Sequence, residues 1–251
     1  MTAGTAAGVA PLHAAPLRVA LVGMGRMGRA IDTLAREREV EVVARLHSAD
    51  MARGLDRAAL AGADVAIEFT VPEQAVANAA ACLALGCPVV VGTTGWSARM
   101  GELQDAVRAS GCPALWSPNF SVGVQLFLAI VEAAAAEMRG LEGFAAHVVE
   151  THHAAKLDAP SGTALAIGER LAKGLGKDVD ISSVRVGSVP GTHEVLFDAP
   201  FEQIRLVHEA RDRRVFADGA ITAARWLAAQ KTPALYTMRD VLRANSEKSG
   251  E

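Results

Sequence analysis

The first half of the chain alternates between short apolar runs and helix-length amphipathic segments. Residues 17–22 form a β-rich apolar run, and Ile31 and Leu34 then begin a helical stripe. Further strands and helices are predicted, in alternation, over 40–46, 65–69, 72–85, 88–91, 97–109 and 113–116. Such alternation is typical of parallel strands joined by crossover helices. It predicts an α/β fold with a Rossmann-type doubly wound parallel sheet.

The second half follows a different pattern. A break around Pro118 precedes an alanine-rich helix that runs to about residue 138. The segments that follow are a strand, a helix and three further β-segments, over 144–149, 163–173, 181–189, 193–197 and 201–208. Because consecutive strands without long helices favour antiparallel or mixed sheets, we predict a smaller α+β domain with one open mixed sheet. A sheet of that shape often pairs across subunits.

The last segments favour a return to the first domain. Residues 217–220 are predicted to lead into a helix over 221–229, and a short segment is predicted over 236–242. The predicted organisation is a disordered tail over 1–17, a first domain over 18–122 and 216–251, and a second domain over 123–215.

Composition excludes several classes of protein. The chain has 251 residues, 51% of them hydrophobic, and a net charge of −3 at pH 7. The chain has no excess of positive charge that would indicate nucleic-acid binding. It also has no apolar segment approaching the roughly 18 residues that a membrane-spanning helix needs. Cys82, Cys87 and Cys112 are odd in number and lack C-x-x-C spacing. We therefore predict a cytoplasmic protein with reduced cysteines, no membrane partner and no nucleic-acid partner.

A glycine-rich turn separates the first strand from the first helix. It comprises Gly23, Met24, Gly25, Arg26, Met27 and Gly28. G-x-G-x-x-G alone is a weak signal, but between a buried strand and a helix it allows a pyrophosphate to approach the helix N-terminus. We predict that these residues bind a dinucleotide.

The end of the second strand bears on the choice of cofactor. An acidic residue commonly takes the ribose hydroxyls there, whereas this chain has Arg45 and His47, with Arg53 nearby. Positive charge suits a 2′-phosphate, so we predict that NADPH is used at least as well as NADH. The alternative is that Asp50 reaches the ribose.

Two later strands end in unusual turns, F-T-V-P-E over 69–73 and G-T-T-G over 92–95. Ligands bind at the carboxyl ends of parallel strands, and threonine hydroxyls suit a nicotinamide ribose and carboxamide. Gly92, Thr93 and Thr94 are therefore cofactor candidates, although an ordinary glycine turn explains them equally well.

The stretch over 150–163 concentrates the candidate chemistry. His152, His153 and Lys156 can donate protons and hold anions. Ser161 can cap a helix that opens at Gly162 and Thr163, and we predict that Ser161, Gly162 and Thr163 together form a seat for an anion such as a carboxylate. The alternative is a basic surface loop that leads into a capped helix.

These motifs, together with N-F-S-V-G-V over 119–124 and E-T-H-H-A-A-K-L-D-A-P-S-G-T-A over 150–164, resemble the 4-hydroxy-tetrahydrodipicolinate reductase (dihydrodipicolinate reductase) family. The resemblance implies reduction of 4-hydroxy-tetrahydrodipicolinate to tetrahydrodipicolinate by NAD(P)H, with loss of water, in diaminopimelate and lysine biosynthesis. It implies a homotetramer built by the second domain, which would bind a small anionic dicarboxylate.

Residue roles follow from the same resemblance. His152 is implied as proton donor and acceptor, Lys156 as proton donor, and His153 with Gly162 and Thr163 as carboxylate holders. The implied cofactor contacts are 23–27, 92–94 and Ser117, Pro118, Asn119 and Phe120. The family often has an acidic residue at position 47, and the segment over 173–186 is short for the family.

Other classes fit less well. A metallohydrolase using His152, His153 and either His193 or His208 lacks H-E-x-x-H spacing and has a lysine at its centre. We therefore predict no metal. A regulatory protein that binds a nucleotide without turnover, or a reductase of another dicarboxylate, would share the fold.

Overall fold

The computed structural model describes residues 15–248, with side chains described up to residue 244. The predicted tail lies outside this part except for its last three residues, and Leu17 already belongs to a strand. The strands are β1 (Leu17–Val22), β2 (Val40–Leu46), β3 (Val65–Glu68), β4 (Val89–Val91), β5 (Ala114–Trp116), β6 (Ala145–His152), β7 (Ile181–Arg185), β8 (Thr192–Ala199), β9 (Glu202–Glu209) and β10 (Leu235–Tyr236). The α-helices are α1 (Arg26–Ala35), α2 (Ser48–Ala52), α3 (Pro72–Ala84), α4 (Met100–Ser110), α5 (Val122–Glu137), α6 (Gly162–Leu175), α7 (Arg214–Ala228) and α8 (Met238–Lys248).

Six parallel strands form the first sheet, in the order β10-β5-β4-β3-β1-β2. Val19 and Leu21 of β1 pack towards α1 and α7. Ala20 and Val22 pack on the other face, towards α3 and α4. Both faces of β1 are therefore covered, which explains why its sequence is continuously apolar. The predicted doubly wound sheet is confirmed.

The second sheet has the order β7-β6-β8-β9 and is mixed, since β6 pairs parallel with β7 and antiparallel with β8. Val148, Val195 and Phe197 face α5 and α6 in a separate core. On the opposite face Val184 is 42% exposed and Val207 is 56% exposed. The predicted open mixed sheet is thus confirmed, with one face uncovered.

Strand β6 is longer than predicted, because it continues past residue 149 to His152. Alternation along a strand then places Val148, Glu150 and His152 on the covered face, and all three are buried. Strand β7 ends at Arg185 rather than residue 189. These two strand ends lie side by side and carry much of the candidate site.

Helix α7 begins at Arg214, seven residues before the predicted start of this helix. Gly219 lies inside α7, where a Cβ would overlap the carbonyl oxygen of Phe120. The glycine therefore serves close packing and does not end or start a helix, which is why residues 217–220 were wrongly predicted as a lead-in. Helix α7 packs on the first sheet, and β10 pairs with β5 of the same sheet.

Cys82, Cys87 and Cys112 are all free and buried. Within residues 15–248, no helix is both long enough and apolar enough to cross a membrane.

Candidate active site

A cleft of about 550 Å³ opens at the carboxyl ends of β1, β2 and β3. Its lining residues are Gly23, Met24, Gly25, His47, Ser48, Met51, Ala52, Phe69, Thr70, Val71, Gln74 and Asn78. The first turn of α1 follows directly, and no side chain caps its free amides. A concave site beside unsatisfied helix amides suits the pyrophosphate of a dinucleotide.

Two of the three glycines of this turn, Gly23 and Gly28, are required by close backbone contacts, whereas a Cβ at Gly25 would meet nothing within 4 Å. Gly23 has a φ of +97°, and a Cβ there would overlap the carbonyl oxygen of Phe69. A Cβ at Gly28 would overlap the carbonyl oxygen of Gly23. Arg26 and Met27 occupy the first turn of α1. The backbone is therefore left bare where a cofactor would lie, so the cleft fits a dinucleotide.

The residues after β2 divide into two groups. His47 lines the cleft, whereas the guanidinium of Arg45 is bound by Asp32 at 2.6 Å and lines a separate groove. The structure thus does not bring Arg45 to the cofactor cleft. Asp50 accepts a hydrogen bond from the backbone of His47 at 2.8 Å and pairs with Arg53 at 2.6 Å. The Asp50 carboxylate is therefore already bound by these two partners. None of the residues that line the cleft is acidic.

The turns after β3 and β4 meet at a carboxyl group that sequence reasoning missed. Glu68 is fully buried, and its Oε1 accepts hydrogen bonds from the Thr70 amide and hydroxyl and from the Thr93 hydroxyl. The Thr93 hydroxyl also accepts from the Thr70 amide at 2.7 Å. The side chain of Thr93 therefore braces two turns, and Thr94 is the exposed threonine. A Cβ at Gly92 would overlap the ring of Phe69, so Gly92 is needed for packing.

The segment that joins the domains also contacts the second domain. The Ser117 hydroxyl donates to the Asn119 carbonyl at 2.7 Å, and the Asn119 side-chain amide donates to the Thr163 hydroxyl at 3.1 Å. Phe120 is buried with its ring centroid 5.9 Å from that of Phe69, and Pro118 is exposed. Asn119 thereby links the cofactor domain to the start of α6.

Helix α6 begins as predicted. Ser161 is the N-cap, and its hydroxyl accepts from the Ala164 amide at 3.2 Å. Gly162 is exposed and a Cβ there would meet nothing within 4 Å, while Thr163 is partly exposed. Since the cap uses only one donor, the amides of the first turn remain available for an anion.

A buried carboxylate and imidazole pair lies behind this helix start. Nδ1 of His152 is hydrogen-bonded to Oε2 of Glu150, which is fully buried. Oε1 of Glu150 accepts from Arg185 at 2.7 Å and from the Ser161 amide at 3.2 Å. Burial would raise the pKa of Glu150, but hydrogen bonds from Arg185 and Ser183 and the interaction with His152 outweigh it and lower the pKa to about 2.

The pKa of His152 is lowered by burial, which outweighs the raising effect of Glu150, and Lys156 and Arg185 lower it further. His152 is therefore neutral at pH 7 in the free protein. It can accept a proton, and it becomes a donor once a nearby anion favours its charged form.

The other two candidates have their own partners. Lys156 is held by both carboxylate oxygens of Asp158, at 2.7 and 2.8 Å. Nε2 of His153 accepts a hydrogen bond from Arg213 at 2.8 Å. The exposed Arg213 stands at the start of α7, and no motif in the sequence pointed to it. A guanidinium beside His153 adds positive charge where a carboxylate was predicted to bind.

His193 of β8 packs against His152 with ring centroids 5.2 Å apart. Burial lowers the pKa of His193 to about 4, and the neighbouring His152 and His208 add to this effect. The ligand atoms of Glu150, His152 and His193 lie within 4.8 Å of one another, a spacing that suits a metal. However, Glu150 already binds a guanidinium, which would repel a cation. The arrangement favours a hydrogen-bond network.

Two family models together match most of the chain. "Dihydrodipicolinate reductase, N-terminus" matches residues 17–120, and "Dihydrodipicolinate reductase, C-terminus" matches residues 123–242. The 4-hydroxy-tetrahydrodipicolinate reductase of Acidiphilium cryptum is 37% identical over 92% of this chain and 99% of its own length. That of Christiangramia forsetii is 33% identical over 90% and 98%.

The dipicolinate-bound dihydrodipicolinate reductase from Paenisporosarcina sp. TG-14 shares the fold with a TM-score of 0.72 and 22% identity, covering 88% of this chain and 97% of that chain. A DAP dehydrogenase of C. glutamicum, in complex with DAP, has a TM-score of 0.54 and 16% identity, covering 89% of this chain and 93% of that chain. The motifs, the two domains and the sequence matches agree, and this chain belongs to the dihydrodipicolinate reductase family.

Proposed function

We propose that this protein is an NAD(P)H-dependent oxidoreductase that reduces 4-hydroxy-tetrahydrodipicolinate to tetrahydrodipicolinate, with loss of the hydroxyl as water, in diaminopimelate and lysine biosynthesis. One observation carries this proposal. The buried Glu150–His152 pair adjoins the anion-accepting start of α6, and Asn119 connects that helix to the cofactor domain. The hydrogen bond between Asn119 and Thr163 therefore holds the start of α6, beside the Glu150–His152 pair, against the segment that follows β5 of the first sheet.

The substrate is a dicarboxylate, and two groups of residues suit its carboxylates. The amides of Gly162 and Thr163 offer donors at a helix N-terminus. Arg213 offers a guanidinium beside His153, to whose Nε2 it donates a hydrogen bond. Two separated anion seats favour a ligand with two carboxylates.

A nicotinamide supplies a hydride to an electron-poor ring carbon when it is bound. Lys156 and His152 would supply the proton and stabilise the charge that develops on the substrate. Lys156 must exchange Asp158 for the substrate to do so, since Asp158 holds its ammonium group in this structure. An anionic substrate can replace Asp158 because that carboxylate is largely exposed.

The primary test is oxidation of NADPH by the purified protein with substrate freshly generated by the preceding synthase. We expect turnover that EDTA does not reduce. Binding of NADPH without turnover would instead favour a regulatory protein, and loss of activity in EDTA would favour a metal site.

Replacement of His152 or Lys156 by Ala should lower kcat by about 10²- to 10⁴-fold, because each removes a proton-transfer group, while the KM for NADPH changes little. Lys173→Ala, which removes an exposed lysine of α6, is the matched control. Near-normal turnover in either variant would remove that residue from the mechanism.

We further propose that NADPH is used at least as well as NADH. The cleft lining contains no carboxylate to repel a 2′-phosphate, and His47 lies in it. A His47→Glu variant should shift the ratio of the two KM values towards NADH. A strong preference of the wild type for NADH would refute this part.

The quaternary structure is proposed to be a homotetramer. The uncovered face of the second sheet exposes Val184 and Val207, which suits pairing with other subunits. Sedimentation of the wild type and of Val207→Lys compares the association states, and an unchanged monomer in both would contradict the proposal. The cytoplasmic location stays a prediction.

A further inference from the structure

Glu150 is the most connected polar side chain of the second domain's site. It is fully buried, and its two oxygens have different partners. Oε2 contacts Nδ1 of His152 two residues along the same strand. Oε1 accepts from Arg185 on the neighbouring strand β7 and from the Ser161 amide at the start of α6. One carboxylate therefore joins β6, β7 and α6.

We propose that Glu150 and Arg185 are positioning residues that hold His152 in one tautomer, with Nδ1–H directed at Glu150 and Nε2 left as the atom that exchanges protons with the substrate. This inference rests on the proposed reductase function, because it concerns the proton that His152 exchanges with the substrate in that reaction.

The tautomer follows from the hydrogen-bonding capacity of the partners. An ionised carboxylate has only acceptor sites, so the hydrogen between Oε2 and Nδ1 must belong to His152. In a neutral imidazole, Nε2 then carries the lone pair. Arg185 is always charged, and its ion pair with Glu150 keeps that carboxyl group ionised.

Arg185 is itself held in place. Its Nη2 donates to the Asp158 carbonyl at 2.6 Å as well as to Glu150. In the parallel pairing of β6 with β7, Arg185 lies opposite His152. The guanidinium thus connects the strand that carries His152 to the loop that carries Lys156. Loss of this group would loosen both proton-transfer candidates together.

The surroundings of Nε2 also restrict His152. Gly191, before β8, lies so close that a Cβ there would stand 3.0 Å from Nε2. The charged and titratable groups that face His152 are Glu150, Arg185, His193 and Lys156. Only Glu150 is an anion, so it alone raises the basicity of the imidazole.

Glu150→Gln tests the proposal sharply. Arg185 and the Ser161 amide both donate to Oε1, so the single oxygen of Gln must stay there and its NH₂ must face Nδ1 of His152. That contact forces the opposite tautomer, with the proton on Nε2. We expect kcat to fall at least about 10²-fold, with less than about a threefold change in the KM for NADPH.

A pH profile separates positioning from a general loss of structure. Without Glu150 the pKa of His152 falls further, so the limb of the kcat profile that requires protonated His152 should move to lower pH. Arg185→Lys retains the charge and should keep part of the activity lost in Arg185→Met. Glu132→Gln, which breaks the ion pair of Glu132 in α5 with Arg170 in α6, is the control and should leave the profile unchanged.

The tautomer can be measured directly from ¹⁵N NMR of the histidine ring nitrogens. Nδ1–H in the wild type and Nε2–H in Glu150→Gln support the proposal. Protonation of Nε2 in the neutral wild type, or wild-type kcat and pH profile in Glu150→Gln, overturns it. The wild-type spectrum decides even if the variant does not fold. Absence of wild-type turnover would refute the reductase function, whereas the spectrum tests the positioning alone.

Discussion

The two domains each bury one glutamate completely, at the candidate cofactor site and at the candidate catalytic site. Glu68 ends β3 in the first sheet, and Glu150 lies in β6 of the second. The partners of Glu68 are all neutral, namely the amide and hydroxyl of Thr70 and the hydroxyl of Thr93. Glu150 instead contacts the guanidinium of Arg185 and the imidazole of His152.

This difference in partners reverses the direction of the pKa shift. Burial raises the pKa of Glu68, and hydrogen bonds from Thr70 and Thr93 offset that effect only in part. The pKa of Glu150 falls to about 2, because its hydrogen bonds and neighbouring positive charge outweigh burial. The comparison shows that burial alone does not determine what a glutamate does. Glu68 braces two turns, whereas Glu150 supplies a permanent negative charge.

The largest expected effect on stability comes from Glu150→Ala. It leaves Arg185 partly buried without its counter-charge, so we expect the free energy of unfolding to fall by about 3 kcal/mol. The double variant Glu150→Ala, Arg185→Met should recover part of this loss, because it removes the unpaired charge. Urea denaturation measures both, and a loss below about 1 kcal/mol in the single variant would contradict the assignment of a buried ion pair.

Glu68→Ala should have a smaller effect of a different kind. It leaves the donors of Thr70 and Thr93 without an acceptor, so we expect a loss of about 1–3 kcal/mol. Because these turns adjoin the cofactor cleft, the KM for NADPH should rise while kcat at saturation changes little.

Glu68→Gln is the matched control, since its carboxamide oxygen keeps the acceptor for Thr70 and Thr93. A fall in kcat with unchanged KM in Glu68→Ala would show that Glu68 acts on the chemical step, and the contrast with Glu150 would fail.

The smallest expected effect is a pair of opposite pH dependences. Stability contributed by Glu150 is present above its unfolded pKa of 4.5 and is lost as the pH falls towards 2. The folded pKa of Glu68 is raised, so its contribution is present below 4.5 and is lost as the pH rises through the folded value.

Urea denaturation at about pH 7 and about pH 4 compares the wild type with each Gln variant. On acidification, the stability advantage of the wild type should shrink relative to Glu150→Gln and grow relative to Glu68→Gln. If the stability difference between the wild type and each variant changed in the same direction for both, the pKa values of Glu68 and Glu150 would be shifted in the same direction, which contradicts the comparison.

The pattern of apolar, glycine and capping residues along the chain was sufficient to predict much of the fold. The continuous apolar run of β1 requires burial on both faces, and the glycines after it permit only a tight turn into α1. Ser161 was identified as the cap of α6 because cap chemistry involves neighbours three residues away. The alternation of Glu150 and His152 on one strand face was also readable, had β6 been extended to its actual end.

The sequence by itself thus determined the doubly wound parallel sheet and the second, mixed sheet, and it indicated the candidate residues for proton chemistry. Only the tertiary structure decided their partners. Arg185 lies 35 residues from Glu150 and meets it through the register of β6 and β7, and Arg213 reaches His153 from the start of α7. Arg45 is the opposite case, because the sequence predicted a cofactor contact and the structure pairs its guanidinium with Asp32 of α1 instead. Register and packing between distant segments depend on the whole core, so no local spacing records them.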